Sequence, residues 1–237
     1  MILQNHPEAD KALASIERKR FDSRIALLKT QYDRISKGEP TLFNDATVAA
    51  GLADAKGQPL KSGAVAWGDY DGDGFEDLLI DGRYVWRNKG DGTFEDVTWP
   101  TGTRTDNGWG CAWADFDRDG FMDLVVASGG QLSPSSGSGI RLFRNTGNSN
   151  HWLHIKLIGK DCNRAGIGAR VTVSGANGKQ IREVEGGAGT ASQNSLEVEF
   201  GFGNSASPIT VEIRWPCGKT QTLRGIKPDQ KLTVTEE

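Results

Sequence analysis

Two short acidic loops contain the residues of this sequence that are best suited to chemistry. In each loop four aspartates stand at positions 1, 3, 5 and 9, with a glycine at position 6. Carboxylates at this density favour a hard cation, and calcium, which accepts about six to eight oxygen ligands, suits a short irregular loop better than magnesium does. The backbone carbonyl at position 7 and a water molecule would complete the shell. The predicted metal ligands are Asp69, Asp71, Asp73, Phe75 and Asp77 in the first loop and Asp115, Asp117, Asp119, Phe121 and Asp123 in the second.

Electrostatic repulsion within each loop supports the same interpretation. Four carboxylates held within a few ångströms of one another repel, so without a metal ion the loop must open or take up protons. Binding of calcium would therefore also stabilise the fold. At a free calcium concentration about one hundred times the dissociation constant, each site would add about 2.7 kcal/mol, which favours a calcium-rich exterior over a cytosol.

An EF-hand is the main alternative, because its calcium loop begins with the same D-x-D-x-D-G pattern. That loop needs a bidentate glutamate at position 12, where this sequence has Ile80 and Val126. The residues after position 9 are apolar and partly β-branched, which predicts a buried strand and not the exiting helix of an EF-hand. The fourth aspartate is therefore expected to close each site.

The two loops belong to a longer internal repeat between residues 41 and 150. They begin at residues 69 and 115, a period of 46 residues. Three pairs of segments match around them: residues 41–47 with 93–98, 67–74 with 113–120, and 86–88 with 143–145. Each unit offers about four short apolar runs, which is typical of a propeller blade. Because a ring needs about four to eight blades, two blades leave open strand edges that the C-terminal domain, the helix or another chain must cover.

The rest of the chain predicts one helix and a second β-domain. Residues 8–37 carry apolar side chains at helical spacing, namely Phe21, Ile25, Leu28, Tyr32 and Ile35. We expect an amphipathic helix that packs on its own domain or docks on another chain. From residue 151 onward apolar and polar residues alternate, as in a sandwich or barrel. The predicted fold is mainly β: an N-terminal helix in 1–40, two propeller-type blades with calcium loops in 41–150, and a β-sandwich-like domain in 151–237.

Composition sets limits on the partners. The chain has 237 residues with 28 basic and 31 acidic side chains, a formal charge of −3, and no basic stripe that would capture a phosphate backbone. Glycine accounts for 31 residues, which favours short strands joined by many tight turns. No apolar run of about 18 residues predicts a membrane span, and the N-terminal residues lack the apolar core of a secretory signal. We therefore expect neither a nucleic-acid partner nor a membrane span.

The three cysteines leave two interpretations open. Cys111, Cys162 and Cys217 are too few for a dense disulfide framework, and at least one of them must stay outside any bond within the chain. All three can be small buried apolar residues. Alternatively, Cys162 and Cys217, which both stand in turn-like sequence, form a disulfide bond.

Several short motifs add a family resemblance over residues 41–235. In the C-terminal part they are Asn163–Ala169, Gln180–Val184, Ser192-Gln193, Phe200–Gly203 and Arg214–Lys219. With the repeated loops, they resemble FG-GAP (VCBS-type) propeller repeats followed by an ASPIC/UnbV domain, as in the cartilage acidic protein family and its bacterial relatives. The resemblance implies calcium binding by the eight aspartates and an extracellular or surface location. Relatives usually have more repeats, and Cys162 and Cys217 stand where the pattern has small polar residues, which favours a disulfide bond.

Catalysis finds little support in the residue types. The histidines are His6, His151 and His154, and the last two lie three apart on a predicted strand, so that they point to opposite faces. They make a poor triad or metal set. We predict no catalytic residue and no organic cofactor, and we expect that the protein is not an enzyme.

Together these observations predict a calcium-binding extracellular or cell-surface binding or adhesion module without catalytic activity. Its partner would be another protein or a glycan, with self-association as a further option. The first alternative is a structural subunit of an extracellular assembly or filament that uses the N-terminal helix and the open β edges. The second is an accessory protein of a biosynthetic pathway, because UnbV-type domains in the resembling family occur beside biosynthetic enzymes.

Overall fold

A computed structural model of the chain describes most residues from 43 onward and a few before them. The described residues are Arg18, Lys19, Asp22, Ile25, Ala26, Lys29, Thr30, Asp33, Arg34, Lys37, 43–54, 56–58, 64–105, 108, 110–128, 139–176, 178–187 and 193–237. They fall in two compact units, Met1–Ala46 and Thr47–Glu237.

In the first unit, the described residues between Arg18 and Arg34 are helical. The Thr30 hydroxyl donates a hydrogen bond to the carbonyl oxygen of Ala26 at 2.9 Å, one helical turn earlier. Of the predicted apolar series only Ile25 lies within the described residues, and its side chain is half-exposed. Packing of this apolar series on its own domain or on another chain therefore stays a prediction.

The described part of the second unit consists of β-strands and one short helix. In the first half the elements are β1 (Val65–Gly68), β2 (Asp77–Ile80), β3 (Tyr84–Asn88), β4 (Phe94–Asp96), α1 (Thr98–Thr101), β5 (Gly110–Ala114), β6 (Asp123–Ser128) and β7 (Gly139–Phe143). In the second half they are β8 (Trp152–Ile158), β9 (Arg170–Gly175), β10 (Gly178–Glu183), β11 (Val198–Gly201), β12 (Ile209–Arg214), β13 (Thr220–Ile226) and β14 (Gln230–Thr235).

The internal repeat forms two antiparallel sheets. Sheet 1 has the strand order β1-β2-β3-β4, the plan expected of a blade, and sheet 2 has the order β5-β6-β7. Among the described residues sheet 2 thus has three strands where the repeat predicts four. The chain after β7 lacks the Thr93–Thr98 sequence that forms β4, and Asn148 and Asn150 instead donate hydrogen bonds to the Asp71 carbonyl.

The two repeat sheets share one core. Its buried residues alternate along the strands, as Ala66 on β1 and Cys111 and Trp113 on β5 illustrate. The outer face of sheet 1 has a second small cluster of Leu78, Ile80 and Trp86. Because β2 is buried on both faces, the position of Asp77 at its first residue is fixed by packing.

The C-terminal residues form two further sheets, which pack as a sandwich. Sheet 3 has the order β10-β9-β12-β13 and sheet 4 the order β11-β8-β14, and both contribute to a single hydrophobic core. The alternation of Leu153, Ile155 and Leu157 on β8 faces this core. Strands β10 and β13 were not predicted from the sequence, because most of their side chains are polar or exposed. A disulfide bond joins Cys162 and Cys217, whose Cα atoms lie 5.6 Å apart, a usual distance for such a bond.

A loop of the sandwich forms hydrogen bonds with the first strands of both repeat sheets. The Asn194 side chain donates to the Trp67 carbonyl at 3.2 Å and accepts a hydrogen bond from the Trp113 N–H at 3.1 Å. The Ser195 N–H donates to the Trp113 carbonyl at 3.2 Å. These bonds satisfy backbone groups at the edges of β1 and β5, so the C-terminal domain covers part of the open edge left by two repeats.

Candidate metal centres

Each acidic loop joins two paired strands of its sheet. Loop 1 (Asp69–Asp77) runs from the end of β1 to the start of β2, and loop 2 (Asp115–Asp123) runs from β5 to β6. Ile80 and Val126, the residues at position 12, lie in strands β2 and β6. A strand at this position agrees with the prediction that the loops are not EF-hands. Antiparallel pairing of the flanking strands holds the two ends of each loop together.

The structure brings together six of the eight predicted carboxylates as two triads. In each triad, one oxygen of every carboxylate lies within 4.8 Å of the others. The triads are Asp69, Asp71 and Asp77 in loop 1 and Asp115, Asp117 and Asp123 in loop 2. Positions 1, 3 and 9 therefore converge in both repeats.

The aspartate at position 5 points to an arginine in both loops. In loop 1, Arg87 lies 2.8 Å from Asp71 and 3.1 Å from Asp73. In loop 2, Arg144 contacts Asp117 and lies 3.0 Å from Asp119. Each guanidinium thus bridges positions 3 and 5.

Sequence analysis did not single out these arginines, although each occupies the middle of a matched segment of the repeat, 86–88 or 143–145. That correspondence is the signal that could have found them.

Backbone N–H groups fix the first and last carboxylates of loop 1. Asp69 accepts hydrogen bonds from the N–H groups of Asp73 at 3.1 Å and Gly74 at 2.9 Å. Asp77 accepts them from Tyr70 at 3.1 Å and Asn88 at 2.8 Å. The loop is therefore shaped around its own carboxylates.

Loop 2 repeats this arrangement. Asp115 accepts hydrogen bonds from Asp119 and Gly120, and Asp123 accepts them from Phe116 and Asn145, at distances of 2.7 to 3.1 Å. The predicted position-7 residues, Phe75 and Phe121, donate their own N–H groups to the position-5 aspartates. Ligation by their carbonyls stays a prediction.

Burial leaves the carboxylates of loop 1 poorly compensated. Burial, with repulsion from Asp73 and Asp71, raises the pKa of Asp69 to about 7. Burial also raises the pKa of Asp77 to about 8, although the Asn88 N–H opposes this shift. A divalent cation between these oxygens would offset both costs, so the residues fit a calcium ion.

Loop 2 is compensated differently. Burial raises the pKa of Asp123, whereas the hydrogen bond from Arg144 lowers the pKa of Asp117. In loop 1, by contrast, burial raises the pKa of Asp71 although Arg87 lies 2.8 Å from it.

The C-terminal half packs directly on both loops. On loop 1, the Gly203 N–H donates to the Gly72 carbonyl at 2.9 Å, and a Cβ atom on Gly201 would overlap the Asp69 carboxylate. On loop 2, a Cβ atom on Gly120 would overlap the Trp152 ring. The candidate centres thus lie at the junction between the repeat sheets and the sandwich.

A cleft of about 750 Å³ opens beside loop 1. Its lining includes Trp67, Glu76, Arg182 and Glu199. Burial, with repulsion from Glu197, raises the pKa of Glu199 to about 8. Such a carboxyl group in a cleft is a candidate for ligand binding or proton transfer. His151 and His154 do not join it: His151 contacts Asp229 at 2.7 Å, and His154 faces Asp115.

Comparison with known families agrees with this architecture. The family described as ASPIC and UnbV matches residues 159–237, and the family described as FG-GAP-like repeat matches residues 81–126, which include all of loop 2. A search of the curated proteins gave no match. FG-GAP repeats are typical of extracellular or surface proteins, and the two domains indicate a binding module. Among the described helices, none is long and apolar enough to cross a membrane. The chain therefore combines an FG-GAP-like repeat with a C-terminal ASPIC and UnbV domain, the architecture that its motifs predict.

Proposed function

We propose that the protein is a calcium-stabilised extracellular binding module in which two ions hold the repeat sheets against the C-terminal sandwich. The observation that carries this proposal is the convergence of three carboxylates in each loop directly beneath the sandwich. The eight aspartates, with the carbonyls of Phe75 and Phe121, would hold the ions. Calcium would supply the positive charge that buried Asp69 and Asp77 otherwise lack.

The proposed module acts by binding and not by catalysis. The aspartates of each loop, with the position-7 carbonyl, would fill most of the coordination sites of its ion, which leaves little open coordination for a substrate. The partner is another protein or a glycan, and nothing in the charge balance favours nucleic acid. The cleft beside loop 1, which the half-exposed Trp67 lines, offers a concave surface for such a partner.

Calorimetric titration and thermal unfolding test the calcium proposal. We expect calcium binding with two sites, and a gain of about 2.7 kcal/mol per site when free calcium is about one hundred times the dissociation constant. Asp71→Asn and Asp117→Asn should each remove one site. Glu95→Gln is the matched control, because it removes one exposed negative charge from β4, outside both loops. Absence of calcium binding by a folded wild-type protein would reject the proposal.

Assembly of several copies is a second candidate function, favoured by the open edge of sheet 2. Among the described residues, β7 pairs with β6 alone, and its Ile140 and Leu142 are 78% and 55% exposed. The corresponding strand of sheet 1 is covered by β4. Residues 41–47 repeat the sequence of that covering strand. We infer that this segment of a second copy supplies the fourth strand of sheet 2, in a head-to-tail contact.

Light scattering on a size-exclusion column tests this assembly. We expect the wild-type mass to rise with protein concentration, and Leu142→Glu or Phe43→Asp to reduce it to that of a monomer. Ile181→Gln is the control, because it alters another exposed apolar side chain, on β10 of sheet 3. A wild-type protein that stays monomeric at all concentrations would rule the assembly out without affecting the calcium proposal.

A further inference from the structure

The two loops share their carboxylate triads, their N–H donors and their arginines, but they differ at the aspartate of position 1. The sandwich places backbone groups and an amide side chain next to Asp69. There the backbone of Gly201 lies against the carboxylate, and the Gln180 side chain donates to the Gly201 carbonyl at 2.6 Å. Among the described residues, no lysine or arginine lies within ion-pair distance of Asp69. Arg182 acts on it from farther away and pairs with Glu76 at 3.0 Å.

Asp115 faces a charged row of the sandwich instead. The Lys231 ammonium lies 2.9 Å from the Asp115 carboxylate, whose side chain is 2% exposed. His154 lies on the same oxygen, with its Nδ1 at 3.4 Å. This ring nitrogen is buried and has no hydrogen-bond partner among the described residues. The position-1 aspartate of loop 2 therefore has a direct cationic partner, the Lys231 ammonium, whereas Asp69 of loop 1 has no such partner among the described residues.

Strand pairing explains why these groups meet at Asp115. Lys231 on β14 is the direct partner of His154 on β8, and Glu199 on β11 is its partner on the other side. Directly paired residues of neighbouring strands project from the same face of the sheet. Sheet 4 thus aims Lys231 and His154 at loop 2, and Glu199 of the same row lines the cleft beside loop 1. Lys231 also approaches Glu197 at 3.8 Å, so it has a second carboxylate available when it leaves Asp115.

We propose that Lys231 is a built-in counter-ion of loop 2, so that loop 2 binds calcium more weakly than loop 1 and releases the Lys231 ammonium when it does. The proposal rests on the calcium binding proposed above. A calcium ion at loop 2 must displace an ammonium group of the same sign from Asp115, and the low exposure of this carboxylate limits screening by solvent. Loop 1 carries no such competitor. Occupancy of loop 2 is therefore linked to a side chain of the C-terminal strand β14.

Calcium titration of the full chain, by calorimetry and by competition with a chromophoric chelator, tests this inference. We expect two binding phases whose dissociation constants differ by about tenfold or more, the effect of one partly buried charge contact. Asp69→Asn should remove the tight phase, and Asp115→Asn the weak one. Lys231→Gln should tighten the weak phase by about tenfold and leave the tight phase unchanged. Lys156→Gln is the matched control, because it removes an exposed lysine from the neighbouring strand β8.

The outcomes separate this inference from the proposed function. If the folded wild-type chain binds no calcium, the proposed function fails. If it binds two ions with equal affinity, or if Lys231→Gln and Lys156→Gln behave alike, calcium binding stands and the role of Lys231 is rejected. If the circular dichroism spectrum shows that Lys231→Gln does not fold, Lys231→Met serves as a second variant, because it keeps an unbranched side chain without the charge. A tight phase that disappears in Asp115→Asn would also overturn the inference.

Discussion

Individual carboxylates in this protein are stabilised to very different degrees. Glu236, near the C-terminal end of the sequence, is only 1% exposed, yet it accepts hydrogen bonds from three successive N–H groups, those of Lys160, Asp161 and Cys162. These bonds, above all that from Cys162, lower its pKa to about 2, and Lys219 at 3.1 Å helps. Asp77 receives two N–H groups and its pKa rises to about 8. The carboxylates of loop 1 are therefore poorly compensated by the protein itself, whereas the Glu236 site is complete in itself.

Glu236→Gln should reduce stability in a pH-dependent way. Because the pKa of Glu236 is lowered from 4.5 to about 2 on folding, the carboxylate stabilises the fold above about pH 4.5, and this stabilisation disappears as the pH falls toward 2. The melting temperature of Glu236→Gln should thus lie below that of the wild type at pH 7 and approach it near pH 2 to 3. Glu237→Gln, a change in the exposed neighbouring residue, should have no such effect. If the melting temperatures of the wild type and Glu236→Gln differed by the same amount at pH 7 and at pH 3, this account would be contradicted.

At the scale of elements, each loop is supported by the turn that follows the second strand after it. Gly90 follows β3, and a Cβ atom there would overlap the ring of Phe75 in loop 1. Gly147 has the same relation to Phe121 in loop 2. Both glycines have positive φ angles, 74° and 75°. The repeat thus conserves a contact between a loop aromatic ring and a glycine turn in both of its copies.

Gly90→Ala should destabilise the protein more than Gly92→Ala. Both residues lie in the turn between β3 and β4 with positive φ, but a Cβ atom at Gly92 meets nothing within 4 Å. Left-handed backbone strain should cost about 1 kcal/mol in both variants, and overlap with Phe75 should cost about 1 to 3 kcal/mol more in Gly90→Ala. Urea unfolding, with and without calcium, measures the free energy of unfolding of both variants, and the difference between them gives the cost of the overlap with Phe75. Equal losses in the two variants would show that the Phe75 contact is unimportant.

Local patterns predicted much of this fold. The strands around the aspartates and the alternation on β8 depend on residues close in sequence, and the structure agrees with these predictions. Metal ligation by the aspartates stays a prediction, although their spacing brings six of them together. Strands β10 and β13 were missed because their exposed polar residues carry no alternation. Lys231 and His154 could not be assigned to loop 2, because they meet Asp115 only through the pairing of β14 with β8 and the packing of sheet 4 on the repeat.

At the scale of the whole second unit, Thr47–Glu237, the acidic loops lie where the repeat sheets meet the sandwich. Asn145 reaches back from the end of sheet 2 to the Tyr70 carbonyl in loop 1 at 2.8 Å, and Asn150 reaches the Asp71 carbonyl at 2.8 Å. The Gly203 N–H binds the Gly72 carbonyl from the sandwich side. These bonds depend on the backbone shape of loop 1. Repulsion among its carboxylates in the absence of calcium therefore acts directly on the junction.

Scanning calorimetry should show that calcium couples the two halves of this unit. The sandwich has its own continuous core and the disulfide bond between Cys162 and Cys217, whereas the repeat sheets depend on a smaller core and on the loops. With saturating calcium we expect one cooperative transition. With a chelator we expect two, the repeat sheets melting first, because each lost ion removes about 2.7 kcal/mol at one hundred times its dissociation constant. The double variant Cys162→Ser, Cys217→Ser should lower only the upper transition, which assigns that transition to the sandwich. A single transition at the same temperature with and without chelator would mean that the loops do not hold the junction.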